Sequence, residues 1–526
     1  MTAKLINSFI LKISNSGKIM KAVSLLLCIS IILTGCSSTS QAQIPKEKYN
    51  VLFISIDDLN DWVGVLGGHP QSKTPHIDSL AKQGTLFTRA YCPATACLPS
   101  RAAIMTGVAP YSSGCYENKP DQQWQHILKP IAETLPGHFR QNGYYTAGSG
   151  KIFHHFQNDP DSWDDYYPTK RIQFPLIHHP EKEDLTQFKG KEGVPEYWYG
   201  EFKWGPLKMT EKNTGDNHAV QYVIDQMKNQ PKDKPFFLTC GIYRPHVPWF
   251  APKKYFDMFP LEDIQLPPRN PNDFDDIKGG KKKATGIYWR VLEKYQQHKQ
   301  AVQAYLASVA YMDALIGRLM RGLERSDHAD NTIVVFWSDH GWHLGEKSRY
   351  RKFTLWEESC RVPFIIKLPE KLKEKYPQGL NCGRTVGLID IFPTLVELCG
   401  LPAPKQKFDG RSLTSLIQDP YTPWDFPAIS QYSRNNYSLR TEQYRYIRYK
   451  DGAEELYDHD NDPYEWNNLA DHPSYKSIKE KLANRLPRES KAYVKTPPFD
   501  WPKYQKEVLR KAKKDKVYDR VKAEWD

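Results

Sequence analysis

Val51-Leu52-Phe53-Ile54-Ser55-Ile56-Asp57-Asp58 is an apolar, β-prone run that ends on two carboxylates. The same texture recurs at Tyr144 to Ala147, Phe236 to Thr239, Thr332 to Trp337 and Pro363 to Ile366. These runs alternate with helical patterns, the clearest at Gln300 to Leu323 and Asp390 to Leu398, and that alternation predicts an α/β fold: a large, mainly parallel sheet with helices on both faces. Polar groups follow each of the first four strands: Asp57 and Asp58, then Lys151 and His154, then His246, then Asp339 and His340. Open α/β sheets bind ligands beyond the carboxyl ends of their strands, so these groups are expected to converge on one site.

Further along, Asp159 to Asn217 and Pro260 to Gly286 are irregular and rich in Pro, Trp, Tyr and charge, the composition of insertions that shape a cleft. After about Tyr421 the texture changes. Tyr437 to Arg440, Tyr444 to Tyr449 and Glu454 to Tyr457 read as antiparallel strands of a smaller α+β subdomain, and the Lys-rich tail from Trp501 reads as a surface helix. The expected organisation is a leader over 1–36, a tether over 37–48, a catalytic domain over 49–420 and a C-terminal subdomain over 421–526. There is no internal repeat, Gly-rich phosphate loop or dinucleotide fingerprint.

The chain has 526 residues, 40% of them hydrophobic, enough for a substantial core. Its 14 Trp and 31 Tyr include side chains suited to stacking on sugar rings. Four of the 73 basic residues, Lys4, Lys12, Lys18 and Lys21, lie in the leader with no acid among them, so the formal charge of +12 falls to +8 beyond it. That excess suits an anionic substrate. It is not accompanied by any recognisable DNA- or RNA-binding module, so no nucleic-acid partner is expected. Lys18 and Lys21 precede an apolar run, Ala22 to Leu33, too short to span a bilayer. Leu33-Thr34-Gly35-Cys36 resembles a bacterial lipoprotein cleavage box, which implies lipidation of Cys36 and anchorage to a membrane, in the periplasm or at the cell surface. Met20 alone would begin a compact signal of this kind, and Ser37 to Gln43 would tether the domain. Beyond the leader seven cysteines remain, an odd number without zinc-like pairing, which points to one of them having a chemical role.

That one is Cys97. Cys97-Leu98-Pro99-Ser100-Arg101, followed by Thr106-Gly107, resembles the signature of the type I sulfatases at every fixed position. Cys92 lacks the proline and arginine at the required offsets. In that family a maturation enzyme oxidises the cysteine to formylglycine (3-oxoalanine), whose hydrate is a geminal diol: one hydroxyl attacks sulfur and the other later expels sulfate. The resemblance implies an alkaline-phosphatase-like fold and one calcium ion bound by Asp57, Asp58, Asp339, His340 and the residue at 97. Carboxylates arriving together need a cation between them, an oxygen-rich set favours calcium with magnesium second, and the lack of thiolate clusters argues against zinc. It further implies that Lys151 supports the formylglycine and His154 contacts its hydroxyl, that His246 contacts the ester oxygen, and that Lys352 binds sulfate, with His246 and Lys352 forming the substrate contacts; Arg101 and Lys151 are then expected to polarise the nucleophile and His154 to be the base that releases sulfate.

Ile56 to Trp62, Gly150 to His154, Arg244 to Pro248, Ser338 to Glu346 and Glu455 to Asp458 narrow the resemblance to the iduronate-2-sulfatase-like group, over roughly Tyr49 to Ala470. His155 has no assigned role. The expected activity is hydrolysis of sulfate esters on a sulfated carbohydrate, with glycosaminoglycans and ulvan both open. Two alternatives stand beside it: a formylglycine-dependent phosphonate or phosphate ester hydrolase, and a glycan-binding lipoprotein without catalysis, which would require a missing mechanistic position.

Overall fold

A computed structural model describes residues 48–154, 159–167, 185–186, 191–194, 202–278, 286–498, 500, 503 and 506. The leader with Cys36, most of the tether, His155, much of the 159–217 insertion, 279–285 of the second insertion and nearly all of the tail lie outside the described residues.

Lys48 to Asp526 is one compact unit built on an eight-stranded sheet. Its strands in chain order are β1 (Asn50–Asp57), β2 (Thr85–Tyr91), β3 (Tyr145–Gly150), β4 (Asp165–Tyr167), β5 (Phe236–Pro245), β6 (Thr332–Ser338), β7 (Phe364–Lys367) and β8 (Leu380–Gly387). Across the sheet the order is β8-β2-β7-β6-β1-β5-β3-β4. All run parallel except β7, which is antiparallel to both β2 and β6. The expected Pro363-to-Ile366 strand therefore exists but enters the sheet in the opposite sense. The direction of a short apolar run is set by its connections, which its composition does not encode.

β1 shows why the run around Phe53 lacks alternation. Leu52, Ile54 and Ile56 pack into one apolar cluster with the long helix, while Val51 and Phe53 pack into a second on the other face. Both faces are covered, so both sets of side chains are apolar. Three helices matter for the site and its surroundings: α1 (Cys97–Thr106), α2 (Gly215–Asn229) and α3 (His298–Glu324). α2 leads into β5 and α3 into β6, so both run from the carboxyl edge of the sheet to its amino edge.

The C-terminal strands form an antiparallel sheet, β9 (Ala428–Gln431), β10 (Tyr437–Arg440), β11 (Tyr444–Arg448) and β12 (Glu454–Asp458), in that order. Three of the four were expected, and β9 is the addition. It joins the catalytic side through a bridge from Gln431 to Ala94, three residues before Cys97.

Candidate active site

Cys97 is the first residue of α1, buried at the carboxyl edge of the sheet. Its Sγ lies 3.0 Å from Lys352 Nζ and 3.2 Å from His340 Nε2. Backbone geometry delivers the partners. The β1–β5 register shifts between Ile56 and Asp57, and Asp58 then adopts a left-handed φ of 61°, so two successive carboxylates leave the strand end into the same space. Gly150 has φ 82°, and a Cβ there would collide with the Gly241 carbonyl, so only glycine lets β3 close against β5 and deliver Lys151. Lys352 arrives on a segment in which Lys347, Ser348, Arg351 and Phe353 all have positive φ. That segment is held by a buried Lys347–Asp273 pair at 2.8 Å and by Phe353 N–H donating to the Thr95 carbonyl at 3.2 Å.

The charges interlock. Lys352 Nζ is 2.5 Å from Asp58 Oδ1, Lys151 Nζ pairs with Asp57 Oδ2, and Arg101 Nε donates to Asp339 Oδ2 at 2.8 Å. His340 Nε2 is 3.5 Å from Asp58 Oδ1, and His246 Nε2 is 3.6 Å from Asp58 Oδ2. Burial alone would raise Asp57, but the Lys151 ammonium, with His246, Arg101 and Lys352, holds it well below the carboxylate range. Asp58 goes the other way: burial, reinforced by Asp57 and Cys97, lifts it to about 7 against the pull of Lys352. Burial also raises the Cys97 thiol and lowers both His246 and His340.

Arg101 has a different place from the one its motif suggested. It is fully buried, and its nitrogens donate to Asp339, Ser55 Oγ, the carbonyls of Ile56, Lys151 and Ile152, and Asp57. It ties the ends of β1, β3 and β6 together beneath the acids. His154 is buried after β3 but joins neither of the two groups of metal-ligating atoms described next. Sequence reasoning missed Ser55, which donates to the Lys151 carbonyl at 2.9 Å, and Tyr305, whose hydroxyl donates to the Asp58 carbonyl at 2.9 Å. A lone serine inside an apolar strand was the available signal for the first. Tyr305 sits in an apolar helix stripe and gave none.

The expected metal ligands, joined by His246, fall into two overlapping sets whose donor atoms lie within 4.8 Å of one another: Asp57, Asp58, Cys97 and His246; and Asp57, Cys97, Asp339 and His340. Asp58 Oδ2 is buried without a hydrogen-bond partner. An orphaned carboxylate oxygen facing mainly oxygen donors fits a hard divalent cation.

A buried cysteine set among acids and cations at a strand edge suits the attack on an anionic ester. The family model described as Sulfatase matches residues 49–401, and that of the N-sulphoglucosamine sulphohydrolase C-terminal region matches 345–492. A sulfatase of Formosa agariphila is 36% identical over 88% of this chain and 91% of its own. Human iduronate 2-sulfatase is 29% identical over 80% of this chain and 88% of its own. The solved phosphonate monoester hydrolase of Agrobacterium radiobacter shares the fold, with a TM-score of 0.64 at 22% identity over 83% of this chain and 94% of that one. The chain belongs to the sulfatase family, the hydrolases of sulfuric esters.

Proposed function

We propose that this sulfatase is exported as a lipoprotein anchored at Cys36, is matured to formylglycine at position 97, binds calcium, and removes sulfate from a sulfated carbohydrate. The observation that carries the reading is the placement of Cys97 Sγ against Lys352 and His340, beside a carboxylate oxygen that has no hydrogen-bond partner. Sγ stands in for the oxygen of the mature residue. Sequence similarity to iduronate 2-sulfatase and to an ulvan-active sulfatase supports a carbohydrate sulfate.

Asp57, Asp58, Asp339, His340 and residue 97 would hold the ion, with His246 at the border of the set. When bound, calcium would neutralise the acids and draw charge from the sulfate oxygens. The chain's own groups do the rest. Lys352 and Lys151 provide buried positive charge for the sulfuryl oxygens. His246 Nδ1–H donates to the Val247 carbonyl, so Nε2 is the atom that faces the departing sugar oxygen; in the imidazolium form, which the negative charge of a bound sulfate ester favours, it passes its proton there. Arg101 keeps the strand ends from separating, and His154 is assigned the proton removal that releases sulfate.

The phosphonate hydrolase fold neighbour makes one comparison decisive. The matured enzyme is incubated with a panel of defined sulfated oligosaccharides and with phosphonate and phosphate esters, while the mass of the peptide containing residue 97 is recorded. Sulfate release from sugars together with an aldehyde or hydrate at 97 supports the reading. Preferential phosphonate turnover, or activity with an unmodified cysteine, overturns it.

A further inference from the structure

α2 and α3 lie side by side on one face of the sheet, and Gly322 lets them approach closely, because a Cβ there would press on Ile224. Between them runs a groove of about 240 Å³ lined by Gln221 and Lys228 of α2 and by Arg318, Arg321 and Arg325 along α3 and its end. The spacings 221, 224, 228 and 318, 321, 325 place these side chains on facing stripes of two helices that run in the same direction. Four cations line the groove and, among the described residues, no carboxylate does. Arg318 is held by neutral oxygens of Asn217 and Gln221. Arg321, Arg325 and Lys228 are exposed, and among the described residues none of the three side chains has an ion pair or hydrogen bond. The nearest acid on α2, Asp225, accepts from Gln221 at 2.8 Å.

A row of unpaired like charges is destabilising unless something of opposite sign offsets it. Because α2 and α3 end at the amino edge of the sheet, the cations lead away from Cys97 and are not part of the catalytic edge. A single sulfate would meet one or two of them, whereas a chain with repeated negative groups could meet all four. We propose that this groove is a second, non-catalytic binding site for a sulfated polysaccharide strand, which holds the polymer while its esters are cleaved elsewhere on the molecule. This rests on the reading that the substrate is a sulfated carbohydrate, and it adds that the substrate is polymeric.

The test compares two double charge reversals in the full-length enzyme: Arg321→Glu with Arg325→Glu in the groove, and Lys450→Glu with Lys476→Glu on exposed positions of the C-terminal region. Affinity for dextran sulfate, with unsulfated dextran as blank, and kcat/KM on 4-nitrophenyl sulfate are measured for each. The groove pair should weaken dextran sulfate binding by about tenfold or more, and the control pair less than about twofold, with the small substrate turned over equally by both. Equal weakening by the two pairs, or none by the groove pair, overturns the inference. If the groove reversal lowers the melting temperature, the milder Arg321→Gln with Arg325→Gln pair decides by the same criterion. Failure of the parent reading shows separately, as wild-type enzyme that releases no sulfate from any sugar.

Discussion

Two fully buried arginines each bridge two carboxylates from different segments, yet only one of them sits in the candidate active site. Arg101 joins Asp57 and Asp339 at the edge of the large sheet. Arg445 joins Glu357 and Glu465 where the C-terminal sheet meets the catalytic side. By donor chemistry alone both places look like metal sites, since Glu357, Glu465 and His459 also bring their ligand atoms together. Closure separates them. At the junction Glu357 receives Arg440, Arg445 and the Tyr91 hydroxyl, and Glu465 receives Arg445 and His459. At the catalytic edge a third acid, Asp58, keeps one oxygen without a hydrogen-bond partner, with His246 Nε2 3.6 Å away, and two lysines and a cysteine face the same space. A cluster of acids marks a functional site where the charge is left unfinished, and a structural clamp where it is complete.

The largest effect that would break this distinction is at residue 97. Cys97→Ala should lower kcat/KM by at least about 10⁴-fold while leaving the melting temperature within a few degrees of wild type, as expected for loss of a nucleophile. A residual rate near wild type would remove Cys97 from the mechanism. Next comes His246→Ala. On a sugar sulfate the loss should be about 10²-fold or more, and on 4-nitrophenyl sulfate only a small fraction of that, because the phenolate leaves without a proton. His154→Ala should instead impair both substrates alike. Reversed patterns would exchange the two roles.

The junction should answer in stability. Arg445→Met deprives the buried Glu465 of its main cation and leaves Glu357 with Arg440 alone among the arginines it pairs with, and should cost about 3–5 kcal/mol, with catalysis per folded molecule preserved. Acid titration of the wild type tests the same clamp. Arg445 and His459 hold the buried Glu465 down at about 2 against the raising effect of burial. A depressed folded-state value contributes stability that is full above the unfolded carboxyl value of about 4.5 and is lost as pH falls toward 2, here about 3 kcal/mol. A variant lacking Arg445 should lose most of that dependence. Chelation tests the other site: EDTA should abolish turnover and lower stability by about 3 kcal/mol relative to calcium at a hundred times its Kd, in wild type and in Glu465→Gln alike. A calcium shift that disappears in Glu465→Gln would move the ion to the junction.

The contrast also explains what could be read from the sequence. The catalytic edge was legible because its groups follow strand ends at short offsets: Asp57 and Asp58 after β1, Lys151 after β3, His246 after β5, Asp339 and His340 after β6. Topology alone brings such residues together. The junction was not legible, because Tyr91, Glu357, Arg445 and Glu465 are scattered over the chain and meet only through packing of one sheet on another. Arg101 was recognised as part of a motif, but its place beneath the acids could not be, since a spacing fixes which residues are near and not which way the donors are spent. The strand at Thr85–Tyr91 went unread, with Arg89 interrupting its apolar pattern, and so did the reversed sense of β7.

The smallest expected effect concerns Ser55, and it asks how far the catalytic edge depends on bracing as well as on charge. Its hydroxyl accepts from Arg101 Nη1 at 3.0 Å and donates to the Lys151 carbonyl at 2.9 Å, so one side chain on β1 fixes both the buried arginine and the turn that carries Lys151. The Lys151 carbonyl and the Arg101 nitrogen keep each other as partners at 2.6 Å, which means that Ser55→Ala leaves neither group wholly unsatisfied. The loss should therefore be that of ordinary hydrogen bonds, about 1 kcal/mol, and not the larger penalty of an orphaned buried charge. If bracing serves only stability, kcat/KM stays near wild type while the melting temperature drops slightly. If it also holds the Lys151 ammonium in register with Asp57, the rate falls severalfold, and Ser55→Thr, which keeps the hydroxyl, recovers more of it than Ser55→Val of similar size. A loss of several kcal/mol in Ser55→Ala would show that Arg101 depends on this serine and would place the catalytic edge with the junction, as a network that fails when one member is removed.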